Sequence, residues 1–160
     1  MKNFWKAVLA VIIMIVIAMI INTVIAQFTM SYYEDPAYFG VWSKLMMPVE
    51  GPPPASFFLY SALFQLIAAV FFVLVFYLLG SAVPGRKAVR GLIYGVLIFL
   101  VGSFPGMLSS FLLVNLPIGL VLWWMLSGLI IGLLAGLFTA LLVLPKHELK
   151  IVKTTEVEVK

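Results

Sequence analysis

An uncharged, strongly apolar run at residues 118–144 constrains the fold more than any other feature of the sequence. At about 1.5 Å per residue, a helix of this length crosses a hydrocarbon core of about 30 Å with some tilt. Gly128, Gly132 and Gly136 recur at every fourth position, and Ala140 continues the row. Four residues is slightly more than one helical turn, so the row forms a groove that another helix backbone can approach. The run therefore predicts a membrane span with a glycine-zipper packing face.

The composition extends this prediction to the whole chain. Hydrophobic residues make up 64%, charged residues 10%, and the mean hydropathy is +1.21. The apolar runs are continuous, whereas the strands of a membrane barrel would alternate. We therefore predict an all-α membrane protein with four transmembrane helices in an antiparallel bundle and one short interfacial helix. The spans are expected near residues 4–30, 55–79, 91–114 and 118–144, in one domain at 1–145, followed by a flexible cytoplasmic tail at 146–160.

The residue inventory argues against most site chemistry. There is no cysteine and only one histidine, His147, which excludes thiolate sites and histidine metal cages. Glu34 and Asp35 are adjacent and have no accompanying base, so a helix cap and a solvated neighbour account for them. We predict no catalytic, cofactor-binding or metal-binding residue. Nucleic acid is not an expected partner, because the basic residues flank the apolar segments.

The first apolar segment, residues 4–30, is read as an uncleaved membrane anchor. A secretory signal peptide is the alternative, because small residues at 24–26 resemble a cleavage site, although the apolar stretch is long for one. Asn22, Thr23 and Gln27 lie towards its far end, and Gln65 is a lone amide in the second span. Such uncharged polar groups either form interhelical hydrogen bonds or line a path for a ligand.

The connection at residues 31–54 is the one substantial polar loop. Asp35 followed by Pro36 predicts a helix start, with aspartate as the N-cap and proline at the first helical position. A short apolar helix over residues 36–47, stopped by Pro48, would lie in the membrane interface. Residues 51–54, with three consecutive prolines, predict an extended lead-in to the second span.

The third span is interrupted by Pro105, which predicts a kink or local unwinding at residues 102–105. Ordinary proline kinks and the broken helices of transporters both fit this pattern. The turn at residues 115–117 is very short, so the third and fourth spans must be antiparallel neighbours. Their expected register pairs Gly95 with Gly136, Gly91 with Ala140, and Gly102 with the neighbourhood of Gly128. The glycine row is then an internal seam, with an interface between chains as the alternative.

The cations predict the orientation in the membrane. With four spans, Lys44 falls on one side and most other cations fall on the opposite side. We expect a multi-pass protein of the plasma or inner membrane. By the positive-inside rule, both of its termini are expected in the cytoplasm. The cations that share the terminal side are Lys2, Lys6, Arg86, Lys87, Arg90, Lys146, Lys150 and Lys153.

Three sequence stretches carry a resemblance. They are GSFPGMLS at 102–109, NLPIGL at 115–120, and the tryptophans before SGL at 127–129. In these stretches the chain resembles small prokaryotic four-span membrane proteins of unknown function. The resemblance covers the third and fourth spans best and implies the four-span architecture, with no activity, cofactor or catalytic residue attached.

Three classes of function follow from these features. The sequence favours a non-catalytic accessory or scaffold subunit that works through helix packing, with the lipid bilayer and a membrane protein or second copy as partners. The alternative is a small transporter or channel subunit, favoured by the interrupted third span and the polar end of the first. No Asp, Glu, Arg or His lies within a span, which argues against an ion or proton path. A membrane enzyme is the third hypothesis.

Overall fold

The computed structural model describes residues 2–49, 51–143 and 145, and its regular structure in these residues is helical throughout. Four segments are long and apolar enough to cross a membrane, and the third of them contains both α3 and α4. The prediction of an all-α, four-span membrane bundle is confirmed. The helices are α1 (Lys2–Glu34), α2 (Ala55–Leu79), α3 (Lys87–Ile98), α4 (Phe104–Leu113) and α5 (Ile118–Leu142).

All four spans meet in one hydrophobic core. Ala10 from the start of α1, Phe76 from the end of α2, Tyr94 from α3 and Ala140 from the end of α5 belong to the same buried cluster. Consecutive spans therefore run antiparallel. We call this end of the bundle the terminal end, because it holds the start of α1 and the end of α5. The opposite end, which holds the connection between α1 and α2, is the connection end.

A second, smaller core lies at the connection end. Leu116, Leu120 and Val121 are buried there, and Tyr33 of α1 and Trp42 of the connection pack against them. None of its described members comes from α2. Because α2 joins the core at the terminal end only, its other half is free to diverge from the bundle.

The most extensive contact between two helices is that of α3 with α5. The two helices meet along a row of glycine residues. A Cβ atom built on Gly95 would overlap the Gly132 carbonyl oxygen, and one built on Gly91 would lie 2.8 Å from the Ala140 Cβ. A Cβ on Gly136 would overlap the Gly91 carbonyl oxygen and lie 3.0 Å from the Gly95 nitrogen. Gly95 therefore touches both Gly132 and Gly136, and the glycine row of α5 lies against α3 of the same chain.

Gly102 does not join this seam. A Cβ on Gly102 would have nothing within 4 Å, and Gly128 instead faces Phe99 and Ser103, whose atoms lie 3.6 Å from its built Cβ. The expected level is kept, because Ser103, next to Gly102, meets Gly128, but Gly102 itself does not face α5. The cause is a π-helical segment at Phe99–Ser103, which adds a residue to the turn and rotates Gly102 away from α5.

Pro105 explains why the π-helical segment stands there. Proline has no N–H, and its ring crowds the carbonyl four residues earlier, so the preceding turn must widen. The Phe104 N–H bonds to the Phe99 carbonyl, five residues back, and α4 then begins with Pro105 in its first turn. The local unwinding expected at residues 102–105 thus lies slightly earlier, and the span continues as a helix on both sides of it.

The connection departs from its prediction in length. Asp35 does act as an N-cap, since its carboxylate accepts a 2.9 Å hydrogen bond from the Ala37 N–H. However, the helix that follows is a 3-10 helix limited to Pro36–Val41, so the prediction of a helix to residue 47 is wrong. Ser43 supplies the reason, because its carbonyl and hydroxyl both accept from the Met46 N–H and hold a separate turn. The predicted tail at 146–160, with His147, lies outside the described residues.

Candidate functional site

A large cleft lies between α1 and α2 in the half of the bundle nearest the connection. Its volume is about 850 Å³, within the range of small-molecule sites. The walls come from α1 and the first part of α2, and the connection lies across the end. We call it the α1–α2 cleft.

The cleft exists because α2 diverges from α1. From residue 55 to residue 68 every side chain of α2 is half-buried or exposed, and Ala69 is the first that is buried. Pro52 and Pro53 line the cleft and keep this part of the connection from folding back as a helix. Phe58, which lines the cleft, is 60% exposed, so apolar surface of the cleft is accessible from outside the bundle.

Four uncharged polar side chains line the walls: Asn22 and Thr23 from α1, and Ser61 and Gln65 from α2. Gln65 lies ten residues into α2, or about 15 Å along its axis. Asn22 lies twelve residues before the end of α1, or about 18 Å. In a hydrocarbon core of about 30 Å, both amides are therefore near the middle of the bilayer.

These polar groups are only partly satisfied. The Ser127 hydroxyl of α5 donates a 2.9 Å hydrogen bond to the Asn22 side-chain carbonyl, and the Asn22 amide N–H groups have no partner among the described residues. Within the described part of the chain, Thr23 and Gln65 have no side-chain hydrogen bond. A polar group without a partner in hydrocarbon is destabilising by several kcal/mol, roughly. The cleft therefore offers hydrogen bonds to whatever occupies it.

The connection is fixed over the cleft by aromatic contacts. The Trp124 indole N–H of α5 donates a 3.1 Å hydrogen bond to the Tyr33 hydroxyl. The Tyr33 and Trp42 ring centroids are 4.8 Å apart, and Trp42 also meets Trp124 edge-on. Phe39 and Met47 of the same connection line the cleft. The connection thus forms a roof that closes the cleft at the membrane surface.

The larger core lies beyond the other end of the cleft, past its lining residues Ile15 and Gln65. In this core the Tyr94 hydroxyl donates a 2.6 Å hydrogen bond to the Phe72 carbonyl, and the Tyr94 ring lies edge-on to Phe72 and Phe76 at 4.8 and 5.1 Å between centroids. Ala69 and Met14 are buried in the same core. The cleft therefore lies between the connection at one end and the core at the other.

The electrostatics of the cleft are one-sided. Glu34 and Asp35 lie at its roof, and no Lys, Arg or His occurs among the described lining residues. Asp35 uses part of its hydrogen-bonding capacity on the Ala37 N–H. The described residues also contain no group of three or more His, Cys, Asp or Glu side chains that could hold a metal ion.

The residues predicted from sequence divide into three places. Asn22, Thr23 and Gln65 come together in the cleft, whereas Gln27 is exposed and lies outside it. The predicted packing positions and Pro105 lie on α3, α4 and α5 or in the segment between α3 and α4, and none of them lines the cleft. The packing positions are Gly91, Gly95, Gly102, Gly128, Gly132, Gly136 and Ala140.

Sequence reasoning missed several residues of the cleft. Ser61 lines the cleft and Ser127 bonds Asn22, and neither was among the predicted residues. Met19, Thr23, Ala26 and Met30 recur with helical spacing and all line the cleft, which is a signal that the sequence did contain. The chain matches no protein-family model, no curated protein and no solved structure with which it was compared.

Proposed function

We propose that this multi-pass membrane protein is non-catalytic and binds a membrane-dissolved small molecule in the α1–α2 cleft. This is the binding part of the transporter or channel-subunit hypothesis. The observation that carries it is Gln65, an amide near the middle of the bilayer on the cleft wall, without a hydrogen bond in the described chain. Lipid tails offer no hydrogen bond, so the amide favours an occupant that does.

The shape of the cleft supports a small molecule over a partner helix. A transmembrane partner must reach both membrane surfaces, which requires a passage of about 30 Å. The connection lines one end of the cleft, and Gln65, the last lining residue on α2, is only about 15 Å along that helix, so the cleft is shorter than a span. A molecule dissolved in the bilayer can instead enter from the open side between α1 and α2.

Filling the cleft should abolish binding. We expect Ser61→Trp to weaken saturable binding of Nile red, an uncharged fluorescent probe with a carbonyl acceptor, by about tenfold or more, which is ~1.4 kcal/mol. Leu59→Trp is the matched control, because Leu59 is 71% exposed and does not line the cleft. Fluorescence titration of purified protein in micelles, with empty micelles subtracted, makes the measurement. Equal binding by the two tryptophan variants would contradict a site in the cleft.

Gln65→Leu separates a binding role from a structural one. Because the amide has no partner in the described chain, leucine of similar size should leave the thermal midpoint unchanged or raise it. The same variant should weaken Nile red binding by about threefold to tenfold, since one hydrogen bond contributes about 0.5–1.5 kcal/mol. An interhelical structural role predicts the reverse, a lower midpoint with binding retained. Thermal denaturation and titration of the same sample distinguish the two.

A second function is favoured by a different face. Gly102 and Gly106 are exposed, lie four residues apart, and would have nothing within 4 Å of a built Cβ. This spacing lets another helix backbone come close, as an accessory or scaffold subunit requires. The partner would be another membrane protein or a second copy of this chain. A stoichiometric partner should co-purify with the parent protein in a mild-detergent pulldown. The Gly106→Leu variant should lose this partner, whereas the Leu108→Ile variant should retain it.

The orientation completes the proposal. Lys6, Arg86, Lys87 and Arg90 lie towards the terminal end, which supports cytoplasmic termini in the cell membrane. The sequence contains no cysteine, so any labelling of a single-cysteine variant comes from the introduced thiol. Ser56→Cys should react with an impermeant maleimide added to intact cells, and Ser81→Cys should react only after lysis. Labelling of Ser81→Cys from outside would reverse the orientation.

A further inference from the structure

We propose that the occupant of the α1–α2 cleft is an amphipathic organic cation: an apolar, aromatic-compatible body that carries one permanent or protonated positive charge. This inference rests on the proposed function, since it assumes that the cleft binds a small molecule. It adds the sign of the charge and the place where that charge lies.

Charge complementarity is the first support. The charged side chains among the described lining residues are Glu34 and Asp35, both at the roof. Neither forms an ion pair within the described part of the chain, and Lys44 of the same connection does not line the cleft. Opposite charges at about 4 Å attract by about 1 kcal/mol in water and more near a low-dielectric wall. An anionic headgroup at the same position would be repelled by a similar amount.

The walls suit the body of such a molecule. Met19, Met30, Met46 and Met47 contribute flexible, polarisable thioethers that adapt to the shape of a ligand. The rings of Tyr33, Phe39, Phe57 and Phe58 also line the cleft, and aromatic faces attract cations within about 6 Å. Methionine and aromatic groups beside a carboxylate form a surface that favours hydrophobic cations over neutral lipids.

The vertical order of the groups orients the occupant. The carboxylates are at the roof, whereas Gln65 is about 15 Å along α2 from its start. The cationic end would therefore lie under the connection, and the body would extend towards the middle of the bilayer. An acceptor atom on that body would reach the N–H groups of Gln65 or Asn22.

Two ions of nearly equal shape and one neutral probe test the sign of the charge. Tetraphenylphosphonium is a cation, tetraphenylborate is the anion of the same shape, and triphenylphosphine oxide is a smaller neutral relative. Binding to the full-length protein in uncharged micelles is measured by equilibrium dialysis, and Ser61→Trp protein supplies the background for partition into the micelle. We expect the cation to bind at least about tenfold more tightly than the anion, with the neutral probe in between.

The double variant Glu34→Gln with Asp35→Asn provides the second arm. Asparagine is also a good N-cap, so the 3-10 helix at Pro36–Val41 should be retained. We expect the variant to lose about tenfold in affinity for the cation and to leave the neutral probe unchanged. Far-ultraviolet circular dichroism and the thermal midpoint check that its fold is intact.

The outcomes separate the inference from the proposed function. Equal binding of all three probes, or cation binding that survives the double variant, would overturn the charge assignment and leave the cleft as a neutral binding site. Preference for the anion would overturn it as well. If neither Nile red nor any of the three probes distinguishes the parent protein from Ser61→Trp, the cleft is not a ligand site and both proposals fail.

Discussion

Gly95→Ala is expected to lower the free energy of unfolding by ~3 kcal/mol, at the upper end of the range for overpacking. The added methyl group would overlap the Gly132 carbonyl oxygen and lie 3.0 Å from the Leu133 nitrogen. Both are backbone atoms, so no change of rotamer can relieve the contact. α3 and α5 would have to separate, and lipid solvates leucine as well as a helix does, so the lost packing is not recovered elsewhere.

Gly102→Ala is the matched control for this prediction. Gly102 lies in the same span, but its built Cβ would have nothing within 4 Å. Alanine is also a better helix former than glycine by about 0.8–1 kcal/mol, so this variant should be neutral or slightly stabilising. Unfolding of both variants in mixed micelles, followed by circular dichroism, gives the comparison. If the two substitutions destabilise equally, the close contact between α3 and α5 does not limit stability.

Tyr94→Ala is expected to destabilise the protein by ~3 kcal/mol, the lower end of the range for removing a buried aromatic side chain. The lower end applies because lipid takes up part of the hydrophobic transfer term. The change removes the ring that packs against Phe72 and Phe76 and the hydroxyl that bonds the Phe72 carbonyl. Since α2 joins the core only at this end, losing Tyr94 should also loosen α2 and widen the cleft.

Tyr94→Phe isolates the hydrogen bond from the packing. It keeps the ring and removes only the hydroxyl, so we expect a loss of about 0.6 kcal/mol, the average for interhelical hydrogen bonds in a membrane protein, and no more than about 1.7 kcal/mol. Spin labels at Ser31→Cys and Ser56→Cys report the spread of α1 and α2 at the roof. The distance distribution should broaden in Tyr94→Ala and stay close to the parent in Tyr94→Phe. A similar spread in the alanine variant and the parent would mean that other contacts hold α2.

Features that depend on local chemistry were predicted well. The four spans follow from apolar runs, because a backbone in lipid must satisfy its own hydrogen bonds and a helix does so within one segment. The Asp35 cap was also predicted, since a cap involves only neighbouring residues. The prediction of a helix over residues 36–47 was wrong in length. The apolar pattern favoured a continuous helix, but Ser43 holds a separate turn that this pattern did not reveal.

The register between the last two spans was predictable from the residue count, but the face that each residue presents was not. The short turn at 115–117 brings Gly91 to Ala140 and Gly95 to Gly136, as the count implied. Beyond Ile98 the level is kept, since Ser103 meets Gly128, but the π-helical segment inserts a residue and turns Gly102 outwards. A proline in the sequence predicts that the helix is distorted, but which residues adopt the distorted geometry depends on what the helix packs against.

By itself, the sequence determined the helices, their antiparallel order and the presence of uncharged polar groups at Asn22, Thr23 and Gln65. It left two roles open for those groups, an interhelical hydrogen bond or a ligand path, because both need the same residue types. Only the tertiary structure decided that Asn22 bonds Ser127 while Gln65 faces an open cleft. The physical reason is that lipid exerts no hydrophobic force between helices, so specific contacts fix where α2 lies, and the buried residues of α2 lie towards the terminal end.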